Sequence, residues 1–140
     1  MDDGSSAAQL NAFRKALETE KAMVKIVCPK VQGATLDDDS ELPANGELSG
    51  TKSVIFDAVV SILPPASASK LSAEAAAQDW FRDAFAHLKA IALCNASRKL
   101  FEGCGLLPDA GVFSTEDVAG FIEAAKGRCW EREPTLRDLP

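Results

Sequence analysis

Cys94 is the residue whose type and setting point most directly to chemistry. It stands where a short apolar run, Ala90-Ile91-Ala92-Leu93, gives way to a helical stretch over Ser97 to Gly103. In α/β sheets the carboxyl end of a strand is where ligands and nucleophiles are placed. Amides at a helix N-terminus, with Arg98 and Lys99 close by in sequence, would lower a thiol's pKa and favour the reactive thiolate. A Cys–His pair would complete a nucleophilic site. The one histidine, His87, precedes the strand that Cys94 ends. Five strand residues at about 3.3 Å each separate the two by about 17 Å, too far for a hydrogen bond. Three readings of Cys94 stay open: a small buried apolar residue, a redox-sensitive thiol, or a nucleophile.

The other candidates read as structure. Cys28 before Pro29, Cys104 at a helix end and Cys129 beside Trp130 have no CxxC spacing and no His at ligand distance. This pattern is neither a zinc site nor a disulfide framework, and it points to reduced thiols in a cytosolic protein. Asp37-Asp38-Asp39 lacks the Gly and distal Glu of a calcium loop and reads as a solvated hairpin tip. His87, near a helix C-terminus, reads as a surface or capping residue beside the helix dipole. Glu131-Arg132-Glu133-Pro134 reads as a surface ion-pair cluster.

Composition narrows the classes further. The chain has 140 residues, with 15 basic against 21 acidic side chains and a net charge of −6. One domain over 1–140 is expected at this length. An acidic chain without a basic stripe is a poor nucleic-acid binder. No apolar run reaches the roughly 20 residues of a membrane span, and no charged-then-apolar leader opens the sequence. One His and no Tyr remove most metal and His-based catalytic constellations.

The elements that must position Cys94 alternate between helix and strand. Ser5 or Ser6 is placed to cap a helix bearing Leu10, Phe13, Ala16 and Leu17 and ending near Ala22. Met23 to Cys28 is a β-type run stopped by Pro29. Gln32 to Pro43 reads as a hairpin about the acidic turn, with Asn45-Gly46 as a second turn signal. Ser53 to Leu63 is the most strand-like segment, ended by Pro64-Pro65. A Ser/Ala-rich loop leads to a helix from Ser72-Ala73-Glu74 to about Lys89, whose face carries Ala77, Trp80, Phe81, Ala84, Phe85 and Leu88. Ala90 to Cys94 is wholly apolar, as a strand covered on both faces should be. Gly111-Val112-Phe113 is a further short strand, and Ser114 or Thr115 caps a helix through Lys126. The alternation predicts an α/β doubly wound domain with a mostly parallel sheet. Such domains begin with a strand, whereas Met1-Asp2-Asp3-Gly4 leads straight into a helix.

Four stretches, in this order, carry a family likeness: VKIVCPKVQGATLDDDSELPANGELSG, SVIFDAVV, DAFAHLKAIALCNASRK and AAKGRCWEREP. The chain resembles the C-terminal domain of large-subunit haem catalases, within the class I glutamine amidotransferase-like (PfpI-type) superfamily. The resemblance implies a flavodoxin-like sheet lacking the family's first strand, so that 1–140 reads as a fragment of a longer chain. It also implies an upstream catalase barrel as partner, with the haem in that barrel and no cofactor in this chain. Cys94 matches the nucleophile-elbow position of PfpI-type relatives, whose partners are a His just beyond the elbow and an acid after the first strand. Asn95-Ala96-Ser97-Arg98 offers no His, and only Asp2 or Asp3 could supply the acid.

The expected function is therefore a non-catalytic accessory domain of a cytoplasmic catalase, serving assembly or stability, or acting as a chaperone-like module. The alternative is a stand-alone thiol hydrolase or deglycase, or a peroxide sensor, using Cys94. Loss of a central strand would leave unpaired sheet edges that invite a homo-oligomer. Neither a nucleic acid nor a membrane is expected as a partner.

Overall fold

The computed structural model describes residues 1–138. In chain order it runs α1 (Ala7–Thr19), β1 (Val27–Cys28), β2 (Ala34–Thr35), β3 (Glu41–Leu42), β4 (Gly46–Glu47) and β5 (Ala58–Ser61). Then follow α2 (Pro65–Leu71), α3 (Ala75–Ala86), β6 (Ala90–Leu93), α4 (Asn95–Gly103), β7 (Val112–Ser114), α5 (Val118–Ala125) and α6 (Glu133–Arg137). Short 3-10 turns occupy Leu48–Gly50, Ser53–Ile55 and Trp130–Arg132.

All four residues of β6 are buried, because helices cover both faces of the sheet. Ile91 and Leu93 join Val59, Phe81, Phe85 and Phe101 in one apolar core. Ala90 and Ala92 face the other way, into a core with Leu10, Phe13, Ile62 and Phe121. This is the two-sided burial of a doubly wound α/β domain. β6 pairs in parallel with β5 on one side and β7 on the other, with Val59 opposite Ile91 and Ala92 opposite Phe113.

Several element boundaries differ from the sequence expectation, each for a local reason. Ser6, not Ser5, caps α1 by accepting the N–H of Gln9, and Asp37 accepts the N–H of Ala7. The acidic turn is thus more than a solvated tip. α1 stops at Thr19, short of Ala22, because Lys21 takes a left-handed φ of 57° and its N–H closes on the Glu18 carbonyl. Only Val27–Cys28 of the run from Met23 pairs as strand, and Met23 stays 83% exposed.

The hairpin forms as expected, with Ala34 opposite Leu42. Asn45-Gly46 makes no turn. The Asn45 side-chain oxygen accepts the Ile26 N–H at 2.7 Å, and Gly46 pairs in parallel with Val27. Thr51 packs closely there, since a Cβ on Gly46 would stand 2.4 Å from its hydroxyl and force that side chain to turn. Of Ser53 to Leu63, only Ala58–Ser61 is strand, because Ser53 is buried in a 3-10 turn and donates to the Trp80 carbonyl at 2.7 Å.

The expected Ser/Ala-rich loop is helix α2, begun by Pro65 in the first turn, where a missing N–H does no harm. α3 therefore starts at Ala75 and ends at Ala86, where Leu88 at φ 62° turns the chain into β6. α4 opens two residues before the expected Ser97, and β7 lies one residue beyond the expected Gly111 start. Asp117, rather than Ser114 or Thr115, caps α5 by accepting the Gly120 N–H at 3.0 Å.

The largest correction concerns Arg132. It is not part of a surface cluster: its side chain is 0% exposed. The guanidinium grips Asp109 with two bonds of 2.7 and 3.0 Å, and donates to the carbonyls of Phe85 and Lys89 at 3.1 and 3.0 Å. It also lies 4.2 Å from the centre of the Phe85 ring. Gly111 makes room, since a Cβ there would meet the guanidinium at 2.6 Å. Within the expected cluster, Glu133 makes a surface pair, with Arg137 one turn on.

Breaking a buried pair leaves an unmatched group in low dielectric. Arg132→Ala should lower the unfolding free energy by about 3–5 kcal/mol, measured by urea denaturation. Arg132→Lys should recover only part, because an ammonium cannot reproduce the fork. A loss of about 1 kcal/mol or less would mark the pair as a surface contact instead.

Candidate functional site

The carboxyl ends of β5 and β6 meet at Cys94, and there the chain builds a small buried polar cluster. Cys94 is itself buried, at the N-cap of α4, with φ −72° and ψ 170°. That is relaxed extended backbone, whereas a nucleophile elbow holds its nucleophile on a strained turn. The Cys94 sulfur accepts the N–H of Leu63 at 3.3 Å. Its one proton is directed to the Leu63 carbonyl at 3.3 Å and the Ser97 hydroxyl at 3.2 Å. Ser97 in turn bonds Ser61 at 2.8 Å, and both are buried. The cluster joins a thiol, two hydroxyls and a backbone turn, and it can anchor the β5–α2 junction to α4. No base is hydrogen-bonded to the thiol.

The expected catalytic partners are not at this cluster. His87 is exposed at the end of α3, before β6, while Cys94 lies after β6. Asp3 pairs with Lys30 and accepts the Thr35 N–H at 2.9 Å, and these two contacts hold its carboxyl below its ordinary range. Asp2 is buried, and its carboxylate accepts the Asp3 N–H at 2.8 Å. Arg98 meets Cys94 only through its backbone N–H, which donates to the Cys94 carbonyl at 2.9 Å. Nothing in the sequence pairs Ser61 with Ser97, and the one signal is a serine inside the apolar run of β5.

The thiols form no disulfides among the described residues. Cys28, Cys94, Cys104 and Cys129 are all free. Burial pushes the thiols of Cys28 and Cys104 upward in pKa, away from thiolate. Cys104 donates to the Leu100 carbonyl at 3.2 Å, a packing role. Lys89 is a second feature the sequence did not reveal. It is buried with its ammonium on the Val54 carbonyl at 3.1 Å, and burial, with the charge of Arg128, pulls its pKa down. Among the described residues no cluster of three His, Cys, Asp or Glu could hold a metal ion. The chain has no Tyr, and its single His is exposed at a helix end.

With this geometry in hand, comparison with known proteins is decisive on family. A family model of the C-terminal domain found in long catalases matches residues 1–132. The chain belongs to that family. Catalase C of Rhizobium meliloti (strain 1021) is 39% identical over 142 residues, 96% of this chain and 20% of the relative. Catalase HPII of Pseudomonas putida is 31% identical over 142 residues, 99% of this chain and 20% of the relative. This catalase C-terminal domain thus spans about one fifth of the length of the curated relatives it matches.

Solved structures give the fold. Drosophila melanogaster DJ-1beta superposes with a TM-score of 0.74 at 11% identity, covering 99% of this chain and 92% of its own. Schizosaccharomyces pombe DJ-1 gives 0.72 at 12% identity, covering 99% and 96%. A two-domain protein from Anabaena variabilis, with DJ-1/ThiJ/PfpI-like and ferritin-like domains, gives 0.67 at 14% identity, covering 78% and 33%. The PfpI-type fold implied by the sequence is the fold of the chain. No helix among the described residues is long and apolar enough to cross a membrane.

Native-state alkylation at neutral pH tests the site directly. Cys129, which is only half-buried, should label first. Cys28, Cys94 and Cys104 should label slowly, at rates set by local opening. Labelling of Cys94 ahead of Cys129 would show an activated thiolate and contradict this account.

Proposed function

We propose that the chain is a non-catalytic accessory domain of a large-subunit haem catalase, supporting assembly or stability of the barrel upstream in the same polypeptide. The observation that carries this reading is the state of Cys94. Its backbone is relaxed, and its thiol is hydrogen-bonded to Leu63 and Ser97, with no base among its hydrogen-bond partners. The match over residues 1–132 to the domain of long catalases supplies the parent. Peroxide decomposition and its haem then belong to the upstream barrel, and four free thiols suit a reducing cytoplasm. A chaperone-like contribution is a variant of the same role.

The test uses a full-length long catalase that carries this domain. Cys94→Ala in that chain should leave peroxide turnover per haem unchanged. Deletion of the domain should lower the fraction of assembled enzyme and its inactivation temperature. If Cys94→Ala lowers turnover as much as deletion does, the domain acts through its thiol and the proposal is wrong.

A further inference from the structure

Cations gather at the amino ends of β5 and β6, the end of the sheet opposite Cys94. Lys89 leads into β6 with 4% of its surface exposed, and its ammonium donates to the Val54 carbonyl at 3.1 Å. Arg128, shortly after α5, reaches Asp57 only at 3.9 Å, beyond hydrogen-bond length. Asp57 stands exposed just ahead of β5. Arg132 is matched by Asp109.

Three cations thus share two carboxylates, and the charge left over is that of Lys89. It forms no ion pair among the described residues. The chain carries 21 acidic side chains, yet none is folded onto this ammonium. Burial and the charge of Arg128 both act against it, and the nearby charge of Asp57 offsets them only in part. A buried charge needs a partner, and an ammonium has three protons to give. The Val54 carbonyl takes one.

The rim of this site is apolar. Ile55, beside Val54, and Trp130, two residues past Arg128, are each 70% exposed. Exposed apolar side chains around unfilled Lys and Arg donors have the composition of a binding surface, in which Trp and Arg are the residues that carry most energy. A free anion would fill the donors and leave Ile55 and Trp130 in water. A carboxylate carried on a protein surface fills the donors and covers both.

We propose that an Asp or Glu side chain from the catalase body, the part of a long catalase outside this domain, enters between Lys89 and Arg128, with apolar neighbours on Ile55 and Trp130. This rests on the reading of the chain as a domain of such an enzyme; it spans about one fifth of its curated relatives. Charge complementarity sets the partner's character: acidic at one point and apolar around it. Charge-assisted bonds from both cations orient the carboxylate. The ammonium that weakens the separate domain then becomes the contact that registers it against the body.

Lys89→Met keeps the apolar stem and removes the charge. In the 140-residue chain it should raise the Tm by about 3 °C or more, because an unmatched buried charge is gone. In a full-length long catalase carrying this domain, hydrogen exchange at 54–57 and 128–130 should be slower than in the 140-residue chain. Lys89→Met should remove most of that protection, and Arg128→Gln part of it. Millimolar acetate should leave exchange in the 140-residue chain unchanged.

Equal exchange of both segments in the two proteins, or protection that survives Lys89→Met, overturns the proposal. A Tm of the 140-residue chain that is unchanged or lowered by Lys89→Met also overturns it, since the Val54 bond would then suffice for the ammonium. Protection by acetate alone assigns the site to a free carboxylate and overturns the protein source. These readouts are separate from the Cys94→Ala comparison. A missing footprint leaves the accessory role standing, and turnover lost with Cys94→Ala leaves the footprint in place.

Discussion

The guanidinium of Arg132 is sealed from solvent, and its partners come from two stretches of chain. The carbonyls of Phe85 and Lys89 frame the turn from α3 into β6, and Asp109 stands ahead of β7. A buried cation is tolerated only when its donors are matched, so these segments must take up their positions together. The Cys129 N–H adds a bond of 2.7 Å to the Leu88 carbonyl in the same turn. The C-terminal segment thereby holds the entrances of β6 and β7, and β6 carries the register of the three-stranded sheet.

From that anchored end the sheet grows less complete. β6 has strands on both sides and helices on both faces. β5 is paired on one side only, and β1 pairs only with β4. Between β5 and β1 the two cores approach each other across a cavity. At the carboxyl end of β6, hydrogen bonds through Cys94, Ser97 and Ser61 tie β5 to α4.

The helices and β6 were legible because their signals are local. Helical spacing at Leu10, Phe13 and Leu17 and the apolar run at Ala90–Leu93 need no tertiary context. Arg132 was illegible because nothing in Glu131-Arg132-Glu133 distinguishes a buried guanidinium from an exposed one. Its partners lie 23 to 47 residues away. The strand-like run from Ser53 failed because the buried hydroxyl of Ser53 finds its partner on α3, and tertiary context overrode propensity. Asn45-Gly46 misled because Asn45 uses its side chain as a strand partner instead of starting a turn. The candidate site was found by position alone. The relaxed backbone of Cys94 and the bonds on its sulfur had no signal in the sequence.

The central claim is a fold anchored at β6 and open between β1 and β5, and native-state hydrogen exchange of the 140-residue chain tests it most directly. The account predicts the slowest amides in β6 and at Arg132. Val27, Val60 and Ile62 should exchange far faster, through the open edges. Protection of Val60 and Ile62 equal to that of Ile91 would contradict it.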